Sequence, residues 1–151
     1  MGAVNAITDE FIDFVKGVIA STELVPSDCV FDERDKSLVW LLESAARGIG
    51  ELVVLIGLPN IQHDEKSAMA GGYKVSCVIR VKRNAVLCGA GSYAVAETLF
   101  RAFNGAKFYP GVNAAGLEDL NANVYADSLR QATRNETDSL HEVAITYYTE
   151  F

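Results

Sequence analysis

Two stretches of the chain alternate apolar and polar positions with period two. From His141 to Phe151, Val143, Ile145, Tyr147 and Phe151 fall on one face, and Ala144, Thr146, Tyr148 and Glu150 on the other. From Tyr73 to Lys82, Tyr73, Val75, Cys77, Ile79 and Val81 alternate with Lys74, Ser76, Arg80 and Lys82. Such alternation predicts half-buried strands packed on a core by one side only. The run Leu52-Val53-Val54-Leu55-Ile56 is too short for a helix and rich in branched residues, which predicts a buried strand. Val124 to Ala132 reads as a strand whose polar Asp127, Arg130 and Gln131 place it at an edge.

Three segments carry helical spacing instead. Thr8 is the expected N-cap of a first helix with Phe11, Phe14, Val15, Val18 and Ile19 on one stripe, stopped by Val25-Pro26-Ser27-Asp28. A second is expected over Lys36 to Arg47, with Leu38, Leu41, Leu42 and Ala45 together and Gly48 beyond its end. Trp40 and Val39 make that stretch apolar nearly all round, as burial in the core or against another subunit requires. In the third, Ser92 caps a helix with Ala96, Leu99, Phe100 and Phe103 on one face, stopped by Asn104-Gly105. A polar loop is expected from Pro59 to about Gly72. A turn-rich loop insertion is expected at about 106–123, around Pro110-Gly111, Asn113 and Gly116. Together these elements predict a single α+β domain over residues 1–151. Its expected core is a mixed, mainly antiparallel sheet of about four strands with helices packed on one face.

Composition narrows the function classes. Half of the 151 residues are hydrophobic and 22% are charged, which fits a globular domain and excludes wholesale disorder. The longest apolar run, Leu52 to Leu58, is far too short to cross a bilayer, and Asp9, Glu10 and Asp13 stand where a secretory signal would be apolar. Cys29, Cys77 and Cys88 are odd in number and lack C-x-x-C spacing, so reduced thiols are expected and no structural zinc.

The net charge of −7 argues against general nucleic-acid binding. Its distribution is uneven. Residues 1–66 hold 12 acids and 5 bases, residues 74–107 hold 1 acid and 6 bases, and residues 108–151 hold 7 acids and 2 bases. Such blocks are either ordinary variation on a solvated surface or complementary patches that meet between copies of the chain.

Candidate chemistry is thin. Gly89-Ala90-Gly91-Ser92-Tyr93-Ala94 matches G-x-G-x-x-A at a helix start, the form of a dinucleotide-binding turn. Residues Arg83 to Cys88 separate it from the preceding strand, however, and no parallel strand is expected after the helix. Cys88 with His63 or His141 would supply a nucleophile and a base, but no spacing supports the pair. Asp32, Glu33 and Asp35 are expected to favour the start of the second helix through its dipole. Asn135-Glu136-Thr137 is a glycosylation sequon by pattern alone. No catalytic residue, cofactor or metal site is expected.

This layout resembles the tail terminator (tail completion) proteins of long-tailed bacteriophages. The resemblance rests on the strand Leu52 to Ile56, the loop to Gly72 and the strand Tyr73 to Val81 running into Arg83-Asn84. It continues through Gly89-Ala90-Gly91, the helix with Ala94, Ala96, Leu99 and Phe103, and the closing strand Val143 to Phe151. It covers nearly the whole chain through pattern and order, and the long segment Ala106 to Asn123 departs from it. The resemblance implies a virion structural protein without catalysis, assembled in the host bacterial cytoplasm and placed at the head–tail junction. It implies a ring, usually of six copies, that caps the tail tube protein and meets the head–tail connector protein, with DNA passing through and no membrane contact. Subunit contacts are then expected from Arg80, Lys82 and Arg83 against Asp32, Glu33 and Asp35 of a neighbour, and reversing Arg80 and Lys82 should weaken the ring and leave the fold intact. Partner contacts are expected from loops bearing His63, Asp64, Glu65, Tyr109 and Asn113. Three other readings stay open: another head–tail neck or joining protein, a small nucleotide-binding domain or enzyme using Gly89 to Ala94, and a monomeric adaptor that extends its sheet edge near Val124 to Ala132.

Overall fold

A computed structural model describes residues 2–25, 29–34, 52–63, 72–84, 92–108, 123–134 and 138–150. The elements are α1 (Gly2–Ser21), β1 (Val30–Asp32), β2 (Leu52–Ile56), β3 (Asn60–His63), β4 (Gly72–Asn84), α2 (Ser92–Phe103), β5 (Val124–Arg134) and β6 (Asp138–Glu150). The fold is α+β with a mixed sheet of six strands, in place of the expected four. Its order is β1-β2-β4-β6-β5, with β3 also paired to β4. β1 runs parallel to β2, and the other four pairings are antiparallel.

The long period-two segments form the centre. β4 and β6 pair over thirteen residues without a register break, from Gly72 opposite Glu150 to Asn84 opposite Asp138. Their odd positions, Val75, Cys77, Ile79, Val81, Val143, Ile145 and Tyr147, are buried. β2 adds Val54 and Ile56 to the same cluster. Both helices pack into it: α1 through Phe11, Ile12, Val15 and Ile19, and α2 through Val95, Ala96, Leu99 and Phe103. Phe108 is buried as well, edge-on to Phe11 at 5.2 Å and to Tyr147 at 5.1 Å.

Two strands fall where loops or helix starts were expected. β3 lies inside the predicted Pro59–Gly72 loop. It forms because β2 and β3 follow one line along β4, interrupted at Gly57-Leu58-Pro59 by a one-residue slip in register. At the slip the Gly57 N–H donates to the Val78 carbonyl at 2.9 Å. A Cβ on Gly57 would stand 3.0 Å from that same oxygen, a tight contact that favours glycine here. β1 takes Asp32 out of the helix-start role predicted for it. The register Val30 to Val54, Phe31 to Leu55 and Asp32 to Ile56 makes it a short parallel strand.

The helix limits also moved. α1 runs through Thr8 instead of starting there, because Ala3 to Ile7 holds no proline or glycine, and it ends at Ser21, before Pro26. The Ser21 and Thr22 hydroxyls donate to the Val18 and Ile19 carbonyls at 2.6 Å, closing the last turn, and Glu23 takes the left-handed conformation (φ 57°) just beyond it. α2 starts at Ser92 and stops where Asn104-Gly105 predicts, with Gly105 at φ 84°. The helix expected over Lys36 to Arg47, with Trp40, lies outside the described residues, as do Cys88, Gly89 to Gly91 and most of the 106–123 loop. The base of that loop is closed by a bridge between Lys107 and Asn123.

Candidate functional site

The even positions of β4 and β6 face away from the core cluster, and one row of them carries charge across the sheet. Arg80 stands opposite Leu55 on β2 and Glu142 on β6, and Glu142 stands opposite Arg130 on β5. The Arg80 Nε donates to Glu142 Oε2 at 3.0 Å and its Nη1 to Glu33 Oε1 at 3.4 Å. Arg130 reaches Glu142 Oε1 through Nη2 at 2.6 Å and Nε at 2.9 Å. Glu33 follows β1 and is fixed by its own N–H, which donates to the Ile56 carbonyl at 3.0 Å. Acid and base alternate along this row, each cation flanked by a carboxylate.

A second cluster joins α1 to β1. Asp32 is 1% exposed. Its Oδ2 accepts from Lys16 Nζ at 2.7 Å, and its Oδ1 accepts from the Arg34 N–H and Nε, each at 2.9 Å. Arg34 also reaches back to α1, to Asp9 at 2.9 Å and Asp13 at 3.4 Å. Burial pushes the Asp32 carboxyl up, but the hydrogen bonds from Arg34 and Lys16 outweigh it and hold it at about 2. The same carboxylates hold the Arg34 guanidinium above its ordinary range. Beside this cluster Lys16, Gly17, Ala20, Val25 and Val30 line a groove of about 470 Å³.

These partners revise the expected subunit contacts. The Arg80–Glu33 pairing expected between copies is made inside one chain, and Asp32 is buried under α1 where no neighbour reaches it. Reversal at Arg80 would set a third carboxylate beside Glu33 and Glu142, so a loss of assembly in that variant has to be read together with a measurement of its fold. Lys82 is half-buried opposite Val53 and Leu140. Arg83 pairs in β4 and His63 in β3, and neither side chain is among those described. Asp35, Asp64, Glu65, Tyr109 and Asn113 lie outside the described residues.

The chemical alternatives meet specific geometry. β5 does run parallel to β4 after α2, contrary to the reading that no parallel strand follows that helix. However, β6 lies between the two strands, where a dinucleotide turn needs them adjacent. His141 is buried on β6 with the Tyr93 ring 5.5 Å away, edge-on. Cys77 is buried with its thiol 3.3 Å from the Gly57 carbonyl, and burial pushes it up to about 12. A thiol reagent at pH 8 is therefore expected to modify Cys77 about a thousandfold more slowly in the folded chain than in urea. Peptide mass mapping reads this, and fast labelling in the native state would mean the β4 core opens readily. Among the described residues no three His, Cys, Asp or Glu side chains converge as a metal group would.

The adaptor reading also meets an obstacle. The start of β5 is covered on its outward side, where Gly105 donates to the Val124 carbonyl at 2.8 Å and Val124 donates to that of Ala106 at 2.7 Å. Register breaks fall between Ala126 and Ser128 and between Gln131 and Thr133. Bulges and charge of this kind discourage an added strand.

No protein-family model matches the chain, and no curated protein matches it significantly.

Sequence reading missed Lys16, Arg34, Arg130 and Glu142 as the partners in these clusters. A signal existed for one pair: Arg130 and Glu142 sit six residues either side of Glu136, in the middle of the polar stretch expected to join two alternating segments.

Proposed function

We propose that this chain is a virion structural protein of the tail-terminator type. Copies join head to tail into a ring, expected to hold six, that caps the tail tube and meets the head connector. The observation that carries the reading is the unlikeness of the two sheet ends. One is β1, a three-residue parallel strand tied to α1, and the other is β5, an eleven-residue bulged strand tied to the turn after α2. A contact between unlike patches repeats from copy to copy and closes into a ring where the rotation between copies divides a full turn, whereas a two-fold dimer needs one patch that fits itself. In this reading both helices cover one face of the sheet. On the other, the row of Glu33, Arg80, Glu142 and Arg130 is balanced, two acids against two bases, and adds no net charge toward passing DNA.

The test is native mass by light scattering after size exclusion, across a range of protein concentrations. A species of about 98 kDa, six chains of 16.3 kDa, with a central hole by electron microscopy, is the expected result. A chain that stays at 16.3 kDa throughout overturns the ring.

A further inference from the structure

The two ends of the sheet differ in charge as well as in shape. Residues 2–25 and 29–34, which form α1, β1 and the turns beside them, hold six acids and two bases. Residues 92–108 and 123–134, which form α2, β5 and the turn between them, hold four bases and two acids. Strand order places β1 and β5 at opposite ends, four strand spacings or roughly 19 Å apart. Each helix is tied to its own end: α1 to β1 through Lys16–Asp32 and Arg34–Asp9, and α2 to β5 through Gly105–Val124.

The charges that reach solvent differ in the same way. Asp9 and Asp13 have side chains 62% and 71% exposed. They share one cation, Arg34, which also serves Asp32, so this flank keeps a surplus of negative charge at its surface. On the other flank Arg101 and Arg130 are 77% and 71% exposed, and Lys107 is exposed. Glu97 pairs with Arg101 at 2.7 Å and Asp127 accepts from the Thr146 hydroxyl, and with four bases against two acids the flank stays positive.

We propose that the acidic α1–β1 flank of one copy docks on the basic α2–β5 flank of the next, with Asp9 and Asp13 facing Arg101, Lys107 and Arg130. The occupant is a second copy of this chain because both complementary surfaces are on the same molecule, at opposite ends, so each contact leaves a free flank at either side to repeat it. The assignment rests on the ring reading above and specifies its interface. It replaces Arg80, Asp32 and Glu33, whose side chains are 22%, 0% and 27% exposed, with exposed charges that a neighbour can reach even though Asp9, Asp13, Arg101 and Arg130 also have partners within the chain.

The experiment uses charge reversal on one flank at a time. Asp9→Lys with Asp13→Lys makes both flanks basic, and Arg101→Glu with Arg130→Glu makes both acidic. Each variant alone is expected to assemble at least tenfold more weakly than the parent chain by native mass. An equimolar mixture is expected to regain assembly, because every acidic flank then meets a basic one. Raising salt to about 0.5 M should weaken the parent assembly in the same direction. Asp9→Asn with Asp13→Asn serves as the milder variant, and circular dichroism verifies that each variant keeps its fold. A parent chain that forms rings while both reversed variants form them equally well overturns the flank assignment and leaves the ring standing. Loss of assembly in each variant without recovery on mixing also overturns it. A parent chain that stays monomeric overturns the ring and the flank contact together.

Discussion

Phe11→Ala is expected to lower the unfolding free energy by about 3–5 kcal/mol, at the upper end for truncation of a buried side chain. Phe11 is fully buried and lies where three segments meet. Its ring is 5.8 Å from Phe14 on its own helix, 5.2 Å from Phe108 after α2 and 6.4 Å from Tyr147 on β6. Truncation removes the ring from all three and leaves a cavity that neighbours on separate elements cannot close by one small movement. A domain of this size holds about 5–15 kcal/mol in total, so the change takes a large share of it. Urea unfolding followed by circular dichroism measures it. Phe11→Leu keeps most of the volume and is expected to cost less than about 1.5 kcal/mol. A loss under about 1 kcal/mol for the alanine variant would mean that α1 is not seated on β6 through this ring.

What could be read from the chain follows from how long each pattern runs. β4, β6 and α2 were legible because ten or more residues repeat one period, and periodicity survives whatever the element packs against. β1 and β3 were not. β3 has a single apolar residue, Ile61, among Asn60, Gln62 and His63, and it is a strand because Tyr73 to Ser76 offer it a partner. β1 has Val30 and Phe31 beside an acid, and its strand character comes from Val54 to Ile56. A short strand is specified by its neighbour, which a local window cannot contain.

The charged site shows the same division. Alternation along β4 placed Arg80 on the polar face, but its partners stand 47 and 62 residues away, at Glu33 and Glu142. Read locally, Arg80 is a free surface cation; in the fold it is one link of a row. Asp32 shows the converse. In sequence it sits among Glu33, Arg34 and Asp35 as one of the acids expected to favour a helix start, and only the parallel pairing of β1 with β2 turns it toward α1. That pairing buries it against a lysine that reads as the one base in an acidic helix.

That burial ties the stability of the fold to the ionisation of Asp32. Its carboxyl titrates at about 2 in the fold against 3.8 in the open chain. A depressed carboxyl contributes stability that is fully present above the unfolded value and is lost as pH falls through the folded one. Asp32 should therefore contribute about 2 kcal/mol at neutral pH, begin to lose it below pH 4 and have lost most of it near pH 2. Asp32→Ala at pH 7 is expected to cost about 2–3 kcal/mol, because it strips a hydrogen-bonded carboxylate from Lys16 and Arg34. The cost stays below that of a wholly buried pair. Arg34 keeps Asp9 and Asp13, and Lys16, with a side chain 38% exposed, can turn to water. Chemical unfolding at pH 7, 4 and 2 separates the two contributions. The parent chain should lose stability steeply between pH 4 and 2, and Asp32→Asn should start lower and lose about 2 kcal/mol less across that interval. Parallel pH curves for the two proteins would mean that Asp32 is not held by these cations, and that α1 is fixed to β1 by apolar contacts alone.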